Sequence, residues 1–219
     1  NLLQIIQIRT ESLALNKTVF LYLVILSFIV TFLFFLLRDG SLVTRSGNGE
    51  ISVGDKRFET FLLPSYASSF VPQSYKSFFI EVEAGIKLHI LEVGEGYPIF
   101  LQHGNPTSGF LYRRIAENLP LDQLRLVMPT MVGLGFSSKI PASKHPLSNH
   151  VDWITEVLIQ LDLEKLIFVG QDWGGPIGMG ALSQRPGVIA GAVLLNTGFK
   201  SPREPADLSP VHALAKTPI

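Results

Sequence analysis

The segment that most constrains this chain is Gly170-Gln171-Asp172-Trp173-Gly174, because of what lies on either side of it. It follows a short apolar run, Leu166-Ile167-Phe168-Val169, and precedes a small-residue stretch, Gly175 to Leu182, that is able to form a helix. The order is strand, sharp turn, helix. Glycines flank the apex of such an elbow because the strained turn leaves no room for Cβ atoms beside the presented residue. Here the presented residue is Asp172. A carboxylate is ionised at neutral pH and can attack carbon directly, forming an ester that water must later break. The same five residues also fit a Gly-rich strand-to-helix turn in which Asp serves only as an N-cap.

A second motif bears on that choice. Tyr97 to Gln102 reads as a buried strand and runs straight into His103-Gly104-Asn105-Pro106-Thr107-Ser108. In a nucleophile-elbow protein the loop after this strand supplies one backbone N–H of an oxyanion hole, and the residue after the nucleophile supplies the other. By position those donors are the amides of Asn105 and Trp173. Taken alone, HGNP is also an ordinary Asn-Pro turn before a helix. The two motifs stand the right distance apart for one intervening βα unit, which makes their joint occurrence more informative than either.

With both motifs in view, the chain resembles the haloalkane dehalogenases, a branch of the α/β-hydrolase superfamily. The resemblance covers about residues 76 to 200 and rests on HGNPTSGFLYRRI (His103 to Ile115), VGLGFSSK (Val132 to Lys139), VGQDWGGPIG (Val169 to Gly178) and AVLLNTG (Ala192 to Gly198). It implies an α/β-hydrolase fold in which Asp172 displaces halide from an alkyl carbon. It also implies that the Trp173 indole N–H and the Asn105 side-chain amide hold the departing ion. Two neutral N–H donors in an apolar pocket suit a large, weakly basic anion, since they stabilise it without trapping it as a full cation would. No cofactor and no metal are implied, and the substrate would be a small apolar halogenated alkane. Epoxide hydrolases share the Asp nucleophile but usually carry an aromatic residue where this chain has Asn105, and they activate the epoxide with tyrosines of a cap. No tyrosine follows Tyr112 here. A reading from another class is a catalytically silent, membrane-tethered hydrolase fold that binds rather than reacts.

The rest of the machinery is harder to find. The resemblance calls for a late histidine as the base that activates water and for an acid that orients it. The five histidines are His89, His103, His145, His150 and His212, and none fits. His103 sits in the oxyanion turn, where a structural hydrogen-bonding role is expected. His89 falls opposite Ile86, Leu88 and Ile90 on its strand and reads as a surface residue. His145 precedes Pro146 in a loop, His150 opens a helix, and His212 lies in the tail. One dehalogenase group carries a catalytic Glu just after the sixth strand, where this chain has Asn196. The expected acid is therefore an Asp after the seventh strand, beyond this sequence. The chain opens with Asn1, so both ends read as edges of a fragment that is incomplete at its C-terminus and inactive by itself.

Composition excludes several classes. Net charge is zero with no basic run, so nothing argues for nucleic acid. The absence of cysteine excludes a disulfide scaffold and thiolate-bound metal. Charge is sparse partly because of Val19 to Leu37, nineteen residues without a formal charge between Lys17 and Arg38. A helix of that length nearly spans a bilayer core, which predicts a single-pass transmembrane helix over 19–37 and a membrane location. Its orientation is poorly specified, because Arg9 and Lys17 are offset by Glu11 while Arg38 and Arg45 lie on the other side.

The domain order predicted from these signals is an N-terminal segment over 1–38, a polar linker over 39–56, the hydrolase core over 57–200 and the start of a cap over 201–219. Within the core, Phe58 to Tyr75 reads as an irregular lead-in. Phe78–Glu83 and Ile86–Val93 alternate as two antiparallel strands joined at Ala84-Gly85. A helix with Leu111, Ile115 and Leu119 on one face follows the HGNP turn, and another begins at Ser148 or Asn149, with Val151, Ile154, Leu158 and Leu161 inward. Alternating β and α elements imply a mostly parallel sheet covered on both faces.

Overall fold

The computed structural model describes residues 17, 19–33 and 40–198. Residues 19–33 form a helix, α1, whose side chains are apolar all round and almost all exposed. At 1.5 Å per residue the fifteen described residues account for about 22 Å of a hydrocarbon core of about 30 Å. Residues 34–37 of the expected span lie outside the described residues. Among the described residues no helix is long and apolar enough to cross a membrane, so the transmembrane expectation is not met.

Residues 40–198 hold the strands β1 (Glu50–Val53), β2 (Lys56–Thr60), β3 (Lys76–Glu83), β4 (Ile86–Val93), β5 (Tyr97–Gln102), β6 (Leu124–Pro129), β7 (Leu166–Gln171) and β8 (Ile189–Leu195). Their helices are α2 (Ser65–Ser68), α3 (Arg113–Ala116), α4 (Leu147–Gln160) and α5 (Gly174–Ser183). The strands form one sheet in the order β1-β2-β3-β4-β6-β5-β7-β8. It is mixed rather than mostly parallel. β5 pairs in parallel with β6 and β7, and β7 with β8, whereas the four strands β1 to β4 meander antiparallel and join the rest through β4 and β6. The stretch read as a linker is ordered from Glu50 onward: β1 and β2 make a hairpin around Gly54-Asp55, with Val53 opposite Lys56.

Both faces of the sheet are covered, as the alternating pattern requires. On one side Trp153, Ile154, Val157 and Leu158 of α4 and Ile177 and Ala181 of α5 pack on Phe78, Ile80, Leu88, Ile90, Phe100, Val127 and Phe168. On the other, Tyr112 and Ala116 pack on Leu91, Val93, Ile99, Leu101, Leu126 and Met128. α4 begins at Leu147 after Pro146, earlier than the Ser148 or Asn149 start, because Pro146 fixes φ and no side-chain cap is used.

Two local readings are corrected. The helix after HGNP is a 3-10 turn, Gly109–Tyr112, followed by the four residues of α3. Leu111 and Ile115 are exposed, while Tyr112 and Ala116 face the core. The change from three to 3.6 residues per turn rotates the buried face by one position. His89 is fully buried rather than on the surface. The second face of its strand is roofed by Phe61, Phe79, Phe110 and Phe136, with ring centroids 5.3–6.4 Å from the imidazole.

Candidate active site

The site is assembled where two neighbouring parallel strands end. β5 and β7 are paired, with Phe100 opposite Phe168 and Gln102 opposite Gly170, so the loops that leave them, His103–Ser108 and Gln171–Trp173, emerge side by side. On an α/β sheet this is the switch point: β5 is followed by β6 on one side and β7 on the other, and the crevice beyond the strand ends is where ligands bind.

Asp172 occupies the apex of the turn with φ +52°, a left-handed conformation that costs a non-glycine residue energy and persists only where its surroundings enforce it. The enforcing contacts are visible. The Gly175 N–H donates to the Asp172 carbonyl at 3.1 Å, and the Thr197 hydroxyl donates to the same oxygen at 2.5 Å. A Cβ at Gly174 would collide with the Gln102 and His103 carbonyls, and one at Gly175 with the Thr197 side chain. Both glycines of the pair are therefore close-approach positions rather than flexible ones.

The Asn105 N–H donates to Asp172 Oδ1 at 2.9 Å, from a loop with a cis Asn105–Pro106 peptide. The carboxylate is thereby held against the loop that follows β5. Gly104 lies so close to it that an added Cβ would overlap the Asp172 side chain. Trp173 is the N-cap of α5 and 52% exposed, and Asn105 is exposed as well. Among the described residues no hydrogen bond joins the Asn105 carboxamide to the Trp173 indole.

His103 ties the loop after β5 to the loop after β6. Its Nε2 accepts the Met131 N–H at 3.0 Å, which places the proton on Nδ1, 2.8 Å from the Gly104 carbonyl. Burial pushes its pKa down to about 4, partly opposed by the Gly104 carbonyl and the Asp172 charge. Both nitrogens are engaged, so the structural role expected from the sequence is the one observed. Tyr112 completes the support by donating to the Gln102 carbonyl at 2.9 Å, and burial keeps its phenol protonated. His145 and His150 contact each other at 3.0 Å, and burial lowers the pKa of each. His212 lies outside the described residues. Among the described residues no cluster of three or more His, Cys, Asp or Glu is arranged to hold a metal. Sequence reasoning missed Thr197 and the packing role of Gly104. The double glycine at 174–175 was the available signal that something large would sit against α5.

The sequence profile described as the alpha/beta hydrolase fold matches residues 97–217. The chain belongs to the α/β-hydrolase fold family. It is haloalkane dehalogenase-like within it: haloalkane dehalogenase 2 of Mycobacterium tuberculosis (strain H37Rv) is 38% identical over 130 residues, 59% of this chain and 44% of that protein. Among solved structures, the haloalkane dehalogenase DatA of Agrobacterium tumefaciens C58 is 30% identical with a TM-score of 0.58, over 68% of this chain and 49% of that one. An epoxide hydrolase from Vigna radiata is 29% identical with a TM-score of 0.55, over 65% and 46%. The chain thus spans under half the length of each of these relatives.

The buried histidines make one testable feature of this hydrolase core. His89 and His103 fold with pKa values of about 3 and about 4 against an ordinary 6.5, in both cases chiefly through burial. Depressed histidine values mean that the unfolded chain binds protons the folded one refuses. Stability is then complete above pH 6.5 and is lost as pH falls towards 4 and below. From these two rings the slope near pH 5 is about 2.5 kcal/mol per pH unit, and His150, also lowered to about 4 chiefly by burial, adds in the same direction. Urea midpoints at pH 7 and pH 5 measure it, and equal midpoints would show that these rings are charged in the fold.

Proposed function

We propose that the whole protein cleaves carbon–halogen bonds, with Asp172 as the nucleophile. The observation that carries this reading is the 2.9 Å bond from the Asn105 N–H to Asp172 Oδ1, made by a residue held at φ +52°. It leaves the second carboxylate oxygen for attack on an alkyl carbon. The carbon–oxygen ester bond forms as the carbon–halogen bond breaks, and halide leaves with the electron pair towards the Asn105 and Trp173 side-chain N–H groups. Water then attacks the ester carbonyl, and the developing oxyanion is held by the Asn105 and Trp173 amides. No cofactor takes part in this scheme. The substrate class is small, apolar and halogenated.

Among the described residues the second step finds no base, because His89 is buried among phenylalanine rings, His103 is neutral with both nitrogens occupied and His145 and His150 contact each other. With a reactive bromoalkane the chain is therefore expected to release no more than one equivalent of bromide and to gain one alkyl group on Asp172, read by intact mass and peptide mapping. Repeated turnover would overturn the reading of the histidines, and labelling elsewhere would overturn that of Asp172. An epoxide hydrolase with the same nucleophile is the second reading, favoured by the likeness to the Vigna radiata enzyme. Ring opening without a halide requirement would select it. We also propose that α1 associates with a membrane through its apolar circumference, in a single-pass or a shallower mode.

A further inference from the structure

We infer that the surface formed by Leu62, Tyr66 and Phe70, flanked by Arg45 and Arg113, docks on an anionic lipid bilayer. The inference starts from spacing. Tyr66 and Phe70 stand four residues apart through α2 and the looser turn after it, with the Ser69 N–H on the Ser65 carbonyl and the Phe70 N–H on the Ala67 carbonyl, and Leu62 lies just ahead of the helix, before Pro64. The inner face of that segment is already satisfied, since Phe61 and Ala67 are buried with Phe79 and Phe136. The outer face carries Leu62, Tyr66 and Phe70 at 74%, 66% and 57% exposure. A solvated outer face would carry charged side chains there; the positions between them are a leucine, a proline, an alanine and three serines.

The cations are held against the same aromatic surface. The Arg113 guanidinium carbon stands 5.6 Å from the Phe70 ring centroid, and that of Arg45 stands 5.5 Å from Phe136, whose ring is 6.4 Å from that of Tyr66. Among the described residues neither arginine is paired with a carboxylate. Arg113, whose guanidinium also donates to the Phe110 carbonyl at 3.0 Å, stands beside the exposed Phe70, and Arg45 stands on the buried Phe136 next to the exposed Tyr66. Exposed rings with cations that have no carboxylate partner match the headgroup layer, where rings sit at the interface and cations meet anionic lipid. Three side chains are too few for a stable protein interface, which needs about 1,000 Å² in total. A patch of this size suits a second, weak contact added to another membrane contact on the same chain, and the apolar residues 19–33 of α1 precede Arg45 closely in the sequence. To that extent the inference draws on the membrane association proposed above.

The chain contains no cysteine, so Tyr66→Cys supplies a unique thiol in the full chain for an environment-sensitive nitrobenzoxadiazole label. Vesicles of phosphatidylcholine with phosphatidylserine are expected to shift its emission to the blue and to quench it when nitroxide lipid is included. Phosphatidylcholine alone should do neither. Arg45→Glu with Arg113→Glu is expected to raise the vesicle concentration needed by about tenfold, with the melting temperature of the labelled chain as the check on folding. A label at the exposed Glu164→Cys gives the background. Vesicle sedimentation is recorded in parallel, which separates the two membrane contacts. Sedimentation without a shift at residue 66 overturns the docking and spares the association of α1, whereas the absence of both overturns both. Equal responses on the two vesicle types also overturn the docking, as does a blue shift without vesicles accompanied by a dimer in sedimentation velocity, which would assign the surface to a second copy of the chain.

Discussion

Asp172→Asn in the whole protein is expected to reduce halide release by at least about 10⁴-fold while leaving the fold intact. The carboxamide keeps the shape of the side chain, and its carbonyl oxygen can still accept the Asn105 N–H that Oδ1 accepts at 2.9 Å. The contacts that enforce the elbow, from Gly175 and Thr197, go to the backbone carbonyl and are untouched. What disappears is the negative charge that attacks carbon, so the loss should fall on chemistry and leave thermal unfolding near the parent value. The measurement is halide release by freshly purified variant, with mass spectrometry to show that no asparagine has reverted by deamidation. Full activity in a verified sample would remove Asp172 from the mechanism and leave the N-cap reading of the turn.

Gly104→Ala is expected to cost at least about 10²-fold in kcat together with about 1–3 kcal/mol of stability. The methyl group would occupy space filled by the Asp172 side chain. That side chain is not free to retreat, because its backbone is fixed at φ +52° and tied through Thr197 to the end of β8. The loop after β5 must therefore move instead, lengthening the bond from the Asn105 N–H and disturbing His103, which bridges Gly104 to Met131. Gly198→Ala, where nothing lies within 4 Å of the added atom, is the control and should be near neutral. Halide release and urea midpoints of the two variants make the comparison. An unchanged kcat at Gly104→Ala would mean that the carboxylate adapts, and the case for a preorganised site would fall.

The parts of this architecture that were legible in the sequence are those with a local steric cause. Gly170-x-Asp172-x-Gly174 encodes its turn because Cβ atoms are excluded there, and the apolar runs that became β5 and β7 are short, continuous and bounded by glycine. The readings that failed depend on partners distant in the chain. Alternation on β4 placed His89 on an open face, but Phe61, Phe110 and Phe136 come from three other segments to cover it. Helical spacing selected Leu111 and Ile115 as inward, yet a single 3-10 turn shifted the buried positions to Tyr112 and Ala116. The β1–β2 hairpin escaped notice because its strands have only four and five residues and mix charged with apolar positions. Thr197 could not be assigned a role until β8 had been laid beside β7, since its bond to Asp172 spans 25 residues.

The pairing of β5 with β7 has a consequence for how such a protein can diversify. The loop carrying the amide donor and the loop carrying the carboxylate leave adjacent strands in register, Gln102 beside Gly170, so the gap between them begins as the pitch of a β-sheet, about 4.8 Å. That pitch is a property of peptide hydrogen bonding and no side-chain replacement resets it. Substrate preference is then free to drift through the residues that roof the crevice, whereas inserting or deleting one residue within either strand would offset one loop against the other by a whole peptide unit and turn the flanking side chains to the opposite face. The reacting geometry is inherited from the backbone, and selection on substrates acts on a different, more permissive layer of the same molecule.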